Sequence, residues 1–280
     1  MSVLLTGATG FVGKHLWNYL VRAGYSVDIL FRGARFPNKK YDLVINCAGE
    51  INNKNLMYES NYLYVQELLK WCGFQSIDKV IQIGSSSEYG ATKDLRCEDA
   101  RCEPADYYGW TKYLATTYCE FWAFDSGTDV IIARPFSLYG PNDTPRKLIP
   151  KLFKSIENGA KMKVGAGEHD WIYINDFCEG ILKVISRMVD MPQRGADIVN
   201  FGTGTSLSNA EVVETLEDMF ETKFPQIEIQ EDIVLDHTLF CNFWEADTDK
   251  AEDHYGWTAT IDLREGLTRI YQNLKDSSWA

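Results

Sequence analysis

Tyr108 and Lys112, a phenol and an ammonium four residues apart, have the spacing to move a proton in this 280-residue chain. On a helix they share one face, one turn apart. Free tyrosine ionises near pH ~10. A cation beside it favours the phenolate and draws that value towards neutrality, which makes the pair a general acid and base. The same spacing also occurs in ordinary amphipathic helices, so the reading depends on what surrounds it. Ser85-Ser86-Ser87 ends the apolar run 79–84, which reads as a strand. A hydroxyl there can donate to a substrate oxygen while the phenol transfers its proton. A serine cluster at a strand end can also be a plain turn.

Other elements must bring these groups to a ligand. Residues 2–6 form a short apolar run, read as a buried strand. Gly7-Ala8-Thr9-Gly10-Phe11-Val12-Gly13 follows, and residues 14–23 carry helical apolar spacing at Leu16, Leu20 and Val21. Strand, glycine turn and helix is the setting of a dinucleotide fingerprint. Glycines let the backbone turn tightly and approach a pyrophosphate seated on the helix N-terminus. The second strand, 24–32, ends in Phe31 and Arg32, with Asp28 three residues early. An acid at that end would hold a ribose 2′-hydroxyl, whereas a cation suits a 2′-phosphate. Arg32 therefore points to NADP, with NAD the alternative.

Together, Thr-Gly-x-x-Gly-x-x-Gly at residues 6–13 and Tyr-x-x-x-Lys at 108–112 resemble the extended short-chain dehydrogenase/reductase family. Within it the chain is similar to the NAD(P)-dependent branch of nucleotide-sugar epimerases, dehydratases and reductases, over residues 2–270. The resemblance implies a doubly wound parallel α/β sheet (Rossmann) over residues 1–141. A smaller mixed α/β substrate domain would occupy 142–280, with some segments returning to the first. It implies Tyr108, Lys112 and Ser85 as catalytic residues, with Ser86 the fallback to Ser85. It places the cofactor on Gly7, Thr9, Gly10, Phe11, Val12, Gly13, Arg32, Cys47, Ala48, Gly49, Lys112 and Pro135. Ser87, Ser137, Lys147, His169 and His237 fall at substrate positions.

Departures from the family pattern are informative. The stretch 33–41 is too short for the extra helix and strand the family has there. The acidic pair that dehydratases carry after the catalytic hydroxyl is Ser86-Ser87 here, with Glu88 one place late. Ser137 stands where an asparagine is usual. His169 and His237 stand where arginines grip a diphosphate, and a neutral imidazole lacks the fork and the permanent charge. Asn61 occupies a position that supports the active-site helix in the family.

The expected activity is hydride transfer between a nicotinamide and a sugar carbon, foremost as a 4-keto-sugar reductase. The alternatives are a 4-epimerase with retained NAD and a non-catalytic NADP-binding sensor or structural protein. Bulk properties set outer limits. Apolar residues make up 45% and charged residues 24%, ordinary globular values. The net charge of −12 disfavours nucleic acid. Seven cysteines without Cys-x-x-Cys suggest neither a disulfide framework nor a metal site. No apolar run is long enough to span a membrane and Met1-Ser2 leads straight into a strand, so a cytoplasmic protein is expected. The 107–124 helix is apolar on more than one face, which with the family habit predicts a homodimer through it and the 61–72 segment.

Overall fold

The computed structural model describes residues 1–90, 95–192, 194–230 and 244–277. Six parallel strands form the central sheet in the order Gly195–Phe201, Asp129–Pro135, Lys79–Ile83, Leu43–Asn46, Ser2–Thr6, Ser26–Leu30. Strands covered on both faces should be apolar at successive positions, with alternate side chains going to opposite layers. Val3, Leu5, Leu43, Ile45, Ile81, Ile83, Ile131 and Ala133 go to one core, under the helices Phe11–Arg22 and Ile174–Asp190. Leu4, Val44, Val80, Val130 and Ile132 go to the other, under Tyr64–Phe74 and Tyr107–Ser126. The fold is a doubly wound α/β sheet.

From Ser2–Thr6 the chain first turns outward to Ser26–Leu30 and then returns on the other side to Leu43–Asn46. The strand order therefore reverses at the first strand, and ligands of open α/β sheets sit beyond the strand ends at such a point. The short 33–41 stretch contributes no strand, which leaves Ser26–Leu30 at the sheet edge. The first helix begins at Phe11, three residues before its apolar spacing starts, because Gly10 caps it directly after the turn.

The C-terminal half returns to this sheet through Gly195–Phe201, and otherwise builds small pairings beside it. Met162–Gly165 pairs with Ile227–Gln230, and Ser137–Tyr139 pairs with Trp171–Tyr173. Asn209–Phe220 starts at a capping box of Ser208 and Glu211, as their spacing predicts. Buried carboxylates join these pieces. Asp170 accepts from the Thr203 N–H and hydroxyl at 2.6 and 2.8 Å, from Gly204 N–H at 3.0 Å and from Ala246 N–H at 3.2 Å. Asp176 accepts from Thr260 twice and from Ile261 N–H at 2.9 Å. Each carboxylate fixes loop amides that would otherwise be buried without acceptors.

Candidate active site

A cleft of about 870 Å³ opens at the reversal point. Gly10, Phe11 and Val12 line one end, Cys47, Ala48 and Gly49 the floor, and Ser85, Tyr108 and Lys112 the middle. Gly7 has φ of +66°, a left-handed conformation that favours glycine. A Cβ on Gly13 would overlap the Gly7 carbonyl and stand 2.7 Å from Gly7 C and 2.9 Å from Ala8 Cα. The turn thus closes only with glycine at both places. Gly10 caps the Phe11–Arg22 helix in an extended conformation with no side-chain hydrogen bond, so the first helical N–H groups are left for a ligand. An acidic diphosphate fits that end. Gly7, Thr9 and Gly13 shape the turn from behind and do not line the cleft.

The catalytic candidates converge. Asp106 caps the Tyr107–Ser126 helix by accepting from Gly109 N–H at 2.6 Å, and the helix then carries Tyr108 and Lys112 into the cleft. Ser85 and Tyr108 line the same part of the cleft, with the Ser85 hydroxyl near enough to lower the Tyr108 pKa. Ser86 also lines the cleft; its Oγ accepts from the Trp244 indole N–H at 3.0 Å, which fixes the side chain and leaves its O–H as a donor. Ser87 lines the wall beyond. Asn61 sits in a one-turn π-helix, Glu59–Leu63, accepts from Glu50 N–H at 2.7 Å and donates to Thr111 Oγ1 at 2.9 Å. Thr111 in turn donates to the Tyr108 carbonyl at 2.8 Å. Asn61 therefore braces the helix turn that holds the phenol.

One expectation is corrected. The four-residue spacing alone predicts that Lys112 draws the Tyr108 pKa towards neutrality. Burial instead pushes it up to about 12, and the negative charges of Glu88 and Asp106 add to the rise against the lowering by Ser85. Burial likewise lowers Lys112, whose Nζ donates to the Ile83 carbonyl. Desolvation disfavours each charge separately and outweighs what the four-residue spacing promised.

The substrate positions divide. His169 Nδ1 lies 3.3 Å from Ser137 Oγ, and its ring is 5.0 Å from that of Trp171. Both residues line the cleft, beside Pro135. Lys147 also lines it but is committed, donating to the Leu138 carbonyl at 3.0 Å and pairing with Asp143 at 3.2 Å. Arg146 and Lys151 line the same wall, with no ion-pair partner among the described residues. His237 lies outside the described residues. Arg32 is exposed and is not part of the cleft wall; its charge acts on Glu50. Asp28 is engaged by Lys39 at 2.7 Å and by the Tyr41 hydroxyl at 2.8 Å. Cys47 is a packed thiol, pushed up to about 12 by burial.

The sequence reading assigned no site role to Trp244 or Arg134 and noted Glu88 only as an acid out of place. Trp244 anchors Ser86. Glu88 and Arg134 form a buried ion pair at 2.9 Å directly behind Ser85. An arginine inside an otherwise apolar parallel strand is the signal, because a buried guanidinium requires a carboxylate. Among the described residues no group of His, Cys, Asp and Glu could hold a metal, and no helix is long and apolar enough to cross a membrane.

Residues 3–202 match the NAD dependent epimerase/dehydratase family. The low-salt glycan biosynthesis protein Agl12 of Haloferax volcanii is 28% identical, the match covering 83% of this chain and 86% of that protein. A putative UDP-glucose 4-epimerase of Methanocaldococcus jannaschii is 24% identical over 99% of each chain. The solved structure of MoeE5 in complex with UDP-glucuronic acid and NAD superposes with a TM-score of 0.87 at 25% identity, covering 99% of this chain and 100% of that one. With the glycine turn opening on a cleft lined by Ser85, Tyr108 and the buried Lys112, the chain is an enzyme belonging to the NAD dependent epimerase/dehydratase family, on the extended short-chain dehydrogenase/reductase branch.

Proposed function

We propose that this enzyme interconverts C4 epimers of a nucleotide-linked sugar, with NAD held by the glycine turn. One observation carries the reading: the helix N-terminus that Gly10 leaves without a side-chain cap, Ser85 with Tyr108, and buried Lys112 line a single cleft whose wall also carries Arg146, Lys151 and His169. A dinucleotide and a sugar nucleotide can then meet at the phenol. The relatives support epimerisation over the one-way ketone reduction expected from Arg32, and the MoeE5 complex supports NAD and a UDP-sugar.

A nicotinamide supplies the hydride acceptor and donor in this chemistry. The protein supplies the proton path. Ser85 presents its hydroxyl to the oxygen on the reacting carbon, and Tyr108 Oη takes the hydroxyl proton or returns it. Lys112, held by the Ile83 carbonyl on the same cleft, would bind the nicotinamide ribose and keep a positive charge in the site where Tyr108 gives up its proton. The acidic pair that dehydratases carry after the hydroxyl has no counterpart here, since Ser86 and Ser87 stand in its place and Glu88 turns away to Arg134. This counts against dehydration through that position; the acids that line the cleft, Glu50, Asp106 and Asp143, stand on other segments.

A specific feature favours a second reading, an NADP-dependent 4-keto-sugar reductase: Asp28 is committed to Lys39 and Tyr41, leaving exposed Arg32 as the charge at the second strand's end. Denaturing the purified protein and identifying the released dinucleotide decides between them. Retained NAD supports the epimerase; an empty protein with preference for NADPH supports the reductase.

A second copy of the chain fits the outer face of the active-site helix. Trp110, Leu114, Phe121 and Phe124 recur there at helical spacing, with Phe121 59% and Phe124 88% exposed. Tyr62 of the neighbouring segment extends the stripe by its contact with Tyr118. We propose this exposed apolar stripe as the interface between two copies of the chain.

A further inference from the structure

We infer that Glu88 is a positioning residue for the reaction, one that sets the Ser85 hydroxyl and the Tyr108 helix in register from behind the cleft. The inference rests on the functional reading above and adds a role for a residue that touches neither substrate nor cofactor.

The carboxylate is fully buried and its two oxygens serve three elements. Oε1 accepts from Ser85 N–H at 2.8 Å, closing a capping box in which Ser87 N–H donates to Ser85 Oγ at 3.2 Å. Oε2 accepts from Thr116 Oγ1 at 2.7 Å, two turns along the helix from Tyr108. The same oxygen takes Arg134 Nε at 3.0 Å and Nη2 at 2.9 Å from the adjoining strand. Gly84 is shaped to admit it, because a Cβ there would stand 2.8 Å from Oε1. Glu88 does not line the cleft. Its charge still reaches the acid–base pair, raising both Tyr108 and Lys112.

A purely structural ion pair in such a place is replaceable by apolar residues of similar volume, often without loss of stability. A positioning pair is not, because the acceptor for Ser85 N–H disappears with it. Small misplacement of a reacting group costs up to about 100-fold in rate. The test uses Glu88→Gln and the double variant Glu88→Met with Arg134→Met, measured for thermal stability, NAD affinity, and kcat and KM for C4 interconversion. Glu88→Gln should lower kcat about tenfold, with KM and NAD affinity within about twofold of the parent. The double variant should regain stability and stay at least about tenfold down in kcat. A folded Glu88→Gln with the parent kcat, or a double variant that recovers kcat along with stability, overturns the inference. Tyr108→Phe in parallel separates the two levels. Full turnover in it removes the functional reading, whereas an inactive Tyr108→Phe beside fully active Glu88 variants removes only this inference.

Discussion

Replacing Gly13 by alanine should separate cofactor binding from folding. The added Cβ would stand 2.7 Å from Gly7 C and 2.9 Å from Ala8 Cα, against the roughly 3.5–4.0 Å that carbon atoms prefer. Those are backbone atoms of the turn, so relief of the tighter carbon contact requires the turn to move by about 0.8–1.3 Å. Such overpacking costs ~1–3 kcal/mol, and alanine returns ~1 kcal/mol of helix propensity over glycine. The net loss is therefore ~0–2 kcal/mol, worth no more than about 8 °C in Tm. Ligand binding has no such offset. Moving the turn misdirects the free N–H groups at the start of the Phe11–Arg22 helix, and each charge-assisted hydrogen bond lost is worth ~1.5–3 kcal/mol. One such loss weakens NAD binding by about 10- to 100-fold. Quenching of tryptophan fluorescence on titration with NAD gives the affinity, and a thermal melt gives the stability. A Gly13→Ala protein that binds NAD within twofold of the parent would refute the placement of the pyrophosphate on this turn.

Three further outcomes follow from the same geometry. Asn61→Ala strips the partners from Glu50 N–H and Thr111 Oγ1 and should cost ~2–4 kcal/mol in chemical denaturation, with kcat reduced because the Tyr108 turn loses its brace. Burial lowers the His15 pKa, only partly offset by its contact with the Pro141 carbonyl. The unfolded chain then binds the extra proton first, so stability is lost as pH falls below ~6.5; melts across pH 5.5–7.5 should show a shallower fall in His15→Gln. If the proposed interface holds, the parent should sediment as a dimer, and Phe121→Glu, which places a charge in the exposed apolar stripe, should leave a monomer.

Much of this architecture was legible because it follows from short-range rules. The runs at 2–6, 41–49, 79–84 and 129–136 read as strands; the structure places strands within them at Ser2–Thr6, Leu43–Asn46, Lys79–Ile83 and Asp129–Pro135 and splits their alternate residues between two cores. The glycines at 7, 10 and 13 announced a turn whose tightness the Cβ overlaps explain. Ser208 with Glu211 announced a helix start. What stayed hidden depends on burial or on distant partners. Spacing brought Lys112 to the Tyr108 face but said nothing of the desolvation that raises one pKa and lowers the other. Lys147 looked available for substrate, although Asp143 four residues earlier already holds it. Glu88 was visible as an acid out of step with the dehydratase pattern. Its meaning came only with Arg134, 46 residues away in sequence.

The central claim is tested most directly by following a nucleotide sugar deuterated at C4, such as UDP-glucuronic acid or UDP-glucose, by NMR with catalytic enzyme and NAD. The account predicts appearance of the C4 epimer with the label still on C4 and no net NADH. Stoichiometric consumption of a reduced dinucleotide by a 4-keto sugar, with no interconversion of the labelled epimers, would contradict it.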